Sequence, residues 1–180
     1  MQELSLNVLD IAENSIRAGA TLVTITLTED PARDLLAISI EDNGCGMTAE
    51  QLRQVTDPFY TTRTTRKVGL GVPLFKMAAE MTGGEFSIDS QPGRGTRICA
   101  SFGLGHVDRM PLGDMTGTVL SLIQLCPQVD FCYRVTRAGG SYEIDTREYR
   151  QVLGEIPLSE PQVLAFIRSQ IEEEEQRITC

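Results

Sequence analysis

The sequence lacks the residues on which several kinds of functional site depend. It has no tryptophan, one histidine, and 5 cysteines that include no CxxC pair. Zinc sites use paired cysteine or histidine ligands, and disulfide frameworks use even sets of cysteines, so we expect neither. The thiols are expected to be reduced, as in a cytoplasmic protein.

Basic residues are also scarce. Lysine and arginine number 16 against 25 aspartates and glutamates, which gives a net charge of -9. Because nucleic-acid binding depends on a basic surface, nucleic acid is not an expected partner. The longest stretch without charge, residues 115–129, contains Pro127 and is too short to cross a bilayer. A membrane is not an expected partner either, and the early Glu3 argues against a signal peptide.

Residues 1–105 carry alternating helix and strand patterns. Apolar residues recur at helical spacing in two segments and alternate with polar residues in four others. The loop between the second strand and the second helix is expected to be polar and irregular. The pattern predicts an α+β domain, with helices covering one face of a largely antiparallel sheet. The predicted helices are residues 4–18 and 71–81, and the predicted strands are 21–28, 36–40, 85–90 and 97–102.

Gly103 and Gly105 mark a predicted domain boundary, which separates residues 1–105 from an α+β extension at 106–180. The extension is predicted to contain a short helix, a hairpin around residues 138–140 and two further helices. Whether it is a small subdomain or a segment docked on the first domain is left open, as is its role. The acidic run at residues 172–175 is expected to stay solvated.

The first candidate site is the sequence Asp-Asn-Gly-Cys-Gly-Met at residues 42–47, where a predicted strand ends. These residue types are common in ordinary turns. They also suit a ligand site, because the carboxylate of Asp42 can accept a hydrogen bond from an exocyclic amine. Gly44 and Gly46 would let the backbone approach a flat ring.

The second candidate is the glycine-rich sequence Val-Gly-Leu-Gly-Val-Pro-Leu at residues 68–74, which opens a predicted helix. Pro73 suits a first helical turn, so the free amides around Gly69 and Gly71 should form an anion site. Arg63, Arg66 and Lys67 precede it and favour a local anion over the alternative, a solvated loop. No GxxxxGK(S/T) sequence occurs, and the third glycine of a dinucleotide fold is missing.

The third candidate is a stripe on the first helix. Asp10, Asn14 and Arg17 are spaced i, i+4 and i+7, so they lie on one side of the helix. Mg²⁺ keeps several waters and needs few protein oxygens, so one amide oxygen with a neighbouring cation could hold hydrated magnesium and polyphosphate. Taken alone, the stripe is better interpreted as an ordinary solvated helix face.

Taken in order, these motifs resemble those of the GHKL ATPases, which include gyrase, a heat-shock chaperone, histidine kinases and MutL. Residues 10–20 resemble the N box and residues 42–47 the first glycine box. Asp-Pro-Phe-Tyr-Thr-Thr-Arg at residues 57–63 is similar to the phenylalanine box of sensor kinases. Gly-Leu-Gly at 69–71 and Gly-Arg-Gly-Thr at 93–96 are similar to the second and third glycine boxes. The resemblance implies a Bergerat α/β sandwich that binds ATP and Mg²⁺.

The resemblance also assigns roles to individual residues. Asn14 would carry magnesium, Asp42 would bind the adenine amine, and Gly44 and Gly46 would line the ring. Arg17 stands where kinases often have a phosphate-binding lysine. Asp10 would be the candidate base, with Glu13 a weaker candidate. The remaining residues implied in nucleotide binding are Met47, Phe59, Thr61, Thr62, Arg63, Lys67, Val68, Gly69, Leu70, Gly71 and Thr96.

Some features differ from the family pattern. Lys67 replaces the first glycine of the kinase-type second box, and Asp10 stands where hydrolytic members have glutamate. The helical hairpin with the phospho-accepting histidine is not expected, since few residues precede the first helix. The resemblance therefore implies a stand-alone regulatory kinase acting on a partner protein, similar to anti-sigma serine kinases. An ATP-gated binding module and a slow ATPase of the MutL type are the alternatives, and homodimer formation is left open.

Overall fold

The computed structural model describes residues 2–57 and 70–179, which form six α-helices and one six-stranded sheet. None of the helices in these two ranges combines the length and apolar character needed to cross a membrane. The elements in chain order are α1 (Leu4–Arg17), β1 (Leu22–Asp30), β2 (Leu35–Asp42), α2 (Ala49–Val55), α3 (Gly71–Met81), β3 (Phe86–Gln91), β4 (Gly95–Gly103), α4 (Met115–Leu125), β5 (Asp130–Arg137), β6 (Gly140–Asp145), α5 (Thr146–Leu153) and α6 (Pro161–Thr179).

The strands lie in the order β3-β4-β2-β1-β5-β6. Four of the neighbouring pairs are antiparallel, and β1 and β5 are parallel. At the end of β2, Asp42 lies opposite Val23 of β1 and Thr96 of β4. This register brings the first glycine motif, at the end of β2, next to the third glycine motif, at the start of β4.

The alternation of apolar and polar residues along the strands decides which face of the sheet is covered. Val23, Ile25 and Leu27 of β1 are buried, whereas the residues between them are partly exposed. In α1, Leu4 and Val8 recur at helical spacing and are fully buried in the same core. The predicted α+β class, with a mixed and mostly antiparallel sheet, is confirmed.

Helix α2 was not predicted, because residues 49–55 lie in the segment expected to be an irregular polar loop. None of its residues is buried, so it lacks the apolar face by which helices are found in sequences. The helix begins with a capping box instead. Thr48 Oγ1 accepts from the Gln51 amide at 3.2 Å, and Gln51 Oε1 accepts from the Thr48 amide at 2.9 Å. This Thr-x-x-Gln pattern was the available sequence signal.

Residues beyond Gly105 continue the same sheet and core. Strand β5 pairs with β1 along its length, and α4 packs against α1, where Thr118 Oγ1 donates to the Ser5 carbonyl at 3.4 Å. The acidic run at residues 172–175 was expected to be fully solvated, but Glu175 is not. Glu175 forms an ion pair with Arg137 and accepts from the Tyr142 hydroxyl at 2.6 Å, so it holds α6 against the strands.

Candidate functional site

The centre of the site is Asp42, a buried carboxylate at the end of β2. Its Oδ2 accepts from the Ser15 hydroxyl at 2.6 Å, and its Oδ1 accepts from the Gly44 amide at 2.9 Å. A carboxylate oxygen has two lone pairs, so each oxygen can still accept a further donor. The carboxylate is therefore fixed in orientation and retains capacity to bind an amine.

Ser15 is a site residue that sequence reasoning missed. It lies one turn after Ile11 on the buried side of α1, and its hydroxyl joins the helix to the end of β2. The available signal was a serine among the apolar residues of the buried stripe. A buried hydroxyl requires a hydrogen-bond partner, and this one has the carboxylate of Asp42.

The loop after Asp42 is held from two sides. Asn43 Oδ1 accepts from the amides of Thr21 and Leu22 at 2.9 and 3.0 Å. The Cys45 amide donates to the Ala18 carbonyl at 2.9 Å, so the loop lies against the C-terminal end of α1. The side chain of Asn43 and the backbone of Cys45 together fix residues 43–45 against β1 and α1.

Gly46 is required by its position in this loop. Its φ is +68°, and a Cβ there would lie 2.0 Å from the carbonyl oxygen of Gln91. Only glycine adopts this conformation without strain and lets the loop approach β3 so closely. The first glycine motif is thus packed against the turn between β3 and β4.

Thr96 is linked to the same loop through Ser90. Thr96 Oγ1 lies 2.8 Å from Ser90 Oγ, which also accepts from the Met47 amide at 2.8 Å. Asp42, Ser90 and Thr96 line a cavity of about 280 Å³, which Leu52 of α2 also borders. The structure therefore brings together the predicted residues Asp42, Met47 and Thr96, and adds Ser90 to them.

Two side chains of the stripe on α1, Asn14 and Arg17, are hydrogen-bonded to each other. Arg17 donates to Asn14 Oδ1 and to Glu13 Oε2, each at 3.2 Å. The Arg17 side chain is 66% exposed, so it can leave these partners at little cost. Asn14 offers one neutral oxygen between two carboxylates, Asp10 and Glu13. This donor set fits a hydrated Mg²⁺, which prefers oxygen ligands and retains waters.

Asp10 lies against the start of α3. A Cβ at Gly71 would be 2.8 Å from Asp10 Cβ and 3.6 Å from its Oδ2, so the two helices meet where glycine leaves room. The first amides of α3 have no partner within the helix, and the helix dipole is positive at this end, so both favour a nearby anion. The N box and the second glycine motif are therefore neighbours. Leu70, which precedes α3, is half-exposed.

Several predicted nucleotide-binding residues lie outside the described part of the chain. They are Phe59, Thr61, Thr62, Arg63, Lys67, Val68 and Gly69.

A second cluster of potential ligands does not resemble a metal centre. Cys132, Glu143 and Asp145 lie within 4.8 Å of one another. Arg134 pairs with Glu143 and Arg147 with Asp145, so both carboxylates are already neutralised. Burial, followed by the charge of Glu143, raises the pKa of the Cys132 thiol to about 11, which opposes the thiolate that a metal requires.

Comparison with known proteins identifies the family. The family model described as "Histidine kinase-, DNA gyrase B-, and HSP90-like ATPase" matches residues 2–106. Sensor protein SrrB of Staphylococcus aureus is 37% identical over 101 residues, covering 53% of this chain and 17% of that protein. Sensor protein DegM of a Bacillus species is 32% identical over 93 residues, covering 52% of this chain and 25% of its own length. The chain thus spans a quarter or less of these relatives.

A solved structure, the N-terminal domain of a DNA repair protein, has the same fold. It matches with a TM-score of 0.54 and 14% identity, and the match covers 80% of this chain and 52% of that one. This coverage exceeds residues 2–106, so the structural likeness extends into the C-terminal residues. Together with the family match, the order of the motifs and the fold show that the chain belongs to the histidine kinase-, DNA gyrase B- and HSP90-like ATPases.

Proposed function

We propose that this chain binds Mg-ATP at the site around Asp42 and transfers a phosphoryl group to a partner protein. The observation that carries the ATP-binding part is the fixed, buried carboxylate of Asp42 beside a cavity. Adenine presents an exocyclic amine and flat faces, and Asp42 with Gly44 and Gly46 matches both. ATP binding is also what membership of this ATPase family implies.

The phosphates would lie between α1 and the start of α3. Asn14 would hold the magnesium ion, and the bound ion would neutralise part of the phosphate charge. The amides at Gly69 and Gly71 would bind phosphate oxygens, and Arg63 and Lys67 would add positive charge. In phosphoryl transfer the protein mainly positions the reactants and stabilises charge, so this set is chemically sufficient.

Asp10 is the better candidate for the base that accepts a proton from the attacking hydroxyl. Glu13 forms an exposed ion pair with Arg17 at 3.2 Å. Asp10 is exposed and borders Gly71, where the phosphates are expected. Geometry therefore favours Asp10 as the acceptor of the proton.

The test begins with purified protein and radiolabelled Mg-ATP, followed by addition of cell extract. A kinase yields a labelled partner protein, and Asp10→Asn removes the label while ATP binding persists. Glu13→Gln is the matched control and keeps the label. Free phosphate from the pure chain would indicate the slow ATPase instead, and bound but unchanged ATP would indicate an ATP-gated binding module.

Asn14→Ala tests the magnesium assignment separately. ATP affinity of the unaltered chain should rise when Mg²⁺ replaces EDTA, and that difference should vanish in the variant. A variant that retains the full Mg²⁺ effect would reject Asn14 as the ligand.

A further inference from the structure

A large groove lies far along the chain from the nucleotide motifs, where β6, α5 and α6 meet. It encloses about 1250 Å³, and its walls come from residues 142–145, α5, the connection at 154–160 and one side of α6. We call it the α5–α6 groove. Its apolar lining includes Tyr149, Val152, Leu153, Ile156, Val163 and Phe166.

Part of this lining is unusually exposed for apolar side chains. Val152 is 88% exposed, Phe166 57% and Ile156 51%. Phe166 of α6 lies beside the buried Ile167, yet its ring packs near Tyr149, with ring centroids 6.2 Å apart, and stays exposed. A contiguous apolar surface of this kind, with polar residues around it, is typical of an interaction site.

The polar residues around the groove are mostly acidic. Asp145 and Glu174 are neutralised by neighbouring arginines. Glu148, Glu155 and Glu160 are exposed and have no ion pair within residues 2–57 and 70–179. Three uncompensated carboxylates around an apolar floor favour an occupant that combines apolar and positively charged side chains.

The edge of the sheet indicates how the occupant is recognised. β6 is the last strand of the sheet, so its outer edge could in principle accept an added strand. Arg177 occupies one acceptor on β6, because its guanidinium donates to the Ser141 carbonyl at 2.8 Å. Strand addition is hindered at that residue, so the apolar and acidic side chains of the groove are the features by which an occupant would be recognised.

We propose that the α5–α6 groove docks a basic, amphipathic segment of a partner protein. A second copy of this chain is disfavoured, because each copy carries a net charge of -9 and would bring acidic residues to an acidic rim. Anionic lipids and nucleic acids are disfavoured for the same reason. The inference deepens the partner-directed part of the proposed function and is independent of ATP binding.

The test uses the full chain and a fluorescent 14-residue peptide of leucine and lysine at helical spacing, with a leucine and glutamate peptide as its counterpart. The lysine peptide should bind, and the glutamate peptide should bind at least tenfold more weakly. Val152→Ser and Phe166→Ser should each weaken binding of the lysine peptide about tenfold, because each variant removes apolar surface that the bound peptide would bury. Val107→Ser is the matched control, because Val107 is 92% exposed outside the groove, and it should change the affinity less than twofold.

The charge requirement has its own variants. Replacing the three unpaired groove glutamates, Glu148, Glu155 and Glu160, by glutamine should weaken binding and reduce its dependence on salt. The control triple variant, Glu50→Gln with Glu85→Gln and Glu173→Gln, removes the same charge from exposed positions outside the groove. Equal weakening by both triple variants would overturn the proposal, since it would show only a general effect of net charge.

Two further measurements distinguish the remaining outcomes. Sedimentation of the unaltered chain should give a mass that Val152→Ser leaves unchanged, and a dimer dispersed by this variant would replace the partner segment with a second copy. Mg-ATP affinity, measured in the same samples, should be unaffected by the groove variants. Peptide binding without ATP binding would reject the proposed nucleotide site alone, whereas ATP binding without peptide binding would reject the docking groove alone.

Discussion

Replacing Asp42 by asparagine is the most direct perturbation of the candidate site. The side chain keeps its size but loses its charge and one of its two acceptor oxygens. In the structure, both oxygens are already used, by Ser15 at 2.6 Å and by Gly44 at 2.9 Å. Adenine would be a third donor to this group.

The expected loss of ATP affinity follows from the number of hydrogen-bond donors and acceptors at this side chain. An asparagine oxygen can accept two hydrogen bonds, so at least one of the three donors loses its acceptor, and the amide nitrogen adds two donors. A hydrogen bond to a charged group contributes about 1.5–3 kcal/mol. We therefore expect ATP affinity to fall roughly 10- to 100-fold, since each 1.4 kcal/mol corresponds to about tenfold.

The assay is calorimetric titration of Mg-ATP into the unaltered chain, Asp42→Asn and Asp89→Asn. Asp89 lines the same cavity from β3 but is exposed, so its replacement removes the same charge without removing a buried acceptor. The ATP affinity of Asp89→Asn should differ less than threefold from that of the unaltered chain. Undiminished ATP binding by a folded Asp42→Asn protein, or equal loss in both variants, would refute the assignment of Asp42 to the adenine amine.

Three further predictions concern the loop, the thiols and the C-terminal residues. Gly46→Ala should lower the free energy of unfolding by more than about 1 kcal/mol in urea titrations, because its Cβ would collide with a carbonyl of β3. Gly93→Ala is the control and should lower it less, since Gly93 has a similar φ of +76° but open space around it. At pH 8 iodoacetamide should modify the exposed Cys45 and spare Cys132, which is 1% exposed and whose pKa is raised by burial to about 11. Modification of both thiols at pH 8 would contradict the burial of Cys132. A chain truncated after Gly105 should be insoluble or lack a cooperative thermal transition, because the edge of β1 and one side of α1 lose their cover, whereas a soluble truncated chain that binds ATP would show that these contacts are dispensable.

The N-terminal elements were predictable because they are local patterns. The helix from Gly71 was placed by the proline in its first turn, and the alternation in β1 and β2 reported which side chains are buried. Helix α2 was missed because the same reasoning depends on an apolar face, which this helix does not have. Its capping box alone carried the signal, so capping patterns deserve equal weight in acidic, glycine-rich loops.

The candidate site was predicted as separate motifs, but its connections could not be. Ser15 and Ser90 are ordinary residues in the sequence. They acquire a role only because the packing of α1 brings Ser15 to Asp42 and the pairing of β3 with β4 brings Ser90 to Thr96. A hydroxyl's partner is set by tertiary distance, which periodicity does not encode. The contact between Asp10 and Gly71 is of the same kind, since it depends on how closely two helices cross.

The parallel pairing of β5 with β1 lies furthest beyond sequence reasoning, because it joins residues about 110 positions apart in the chain. The glycines at 103 and 105 suggested a boundary, and short-range patterns on either side were complete without each other. The pairing places the C-terminal strands beside β1, the strand that follows α1, and α4 packs against α1. The α5–α6 groove is thus built on the same continuous sheet as the nucleotide motifs.

A segment docked in the α5–α6 groove would contact β6, whose partner β5 lies directly against β1, so docking and nucleotide binding are joined by one packed layer. Rigid elements of this kind can couple two sites only if they have two arrangements. Measuring peptide affinity with and without Mg-ATP decides this: equal affinities would mean that the sheet supports both sites without linking them, and unequal affinities would give the coupling free energy directly.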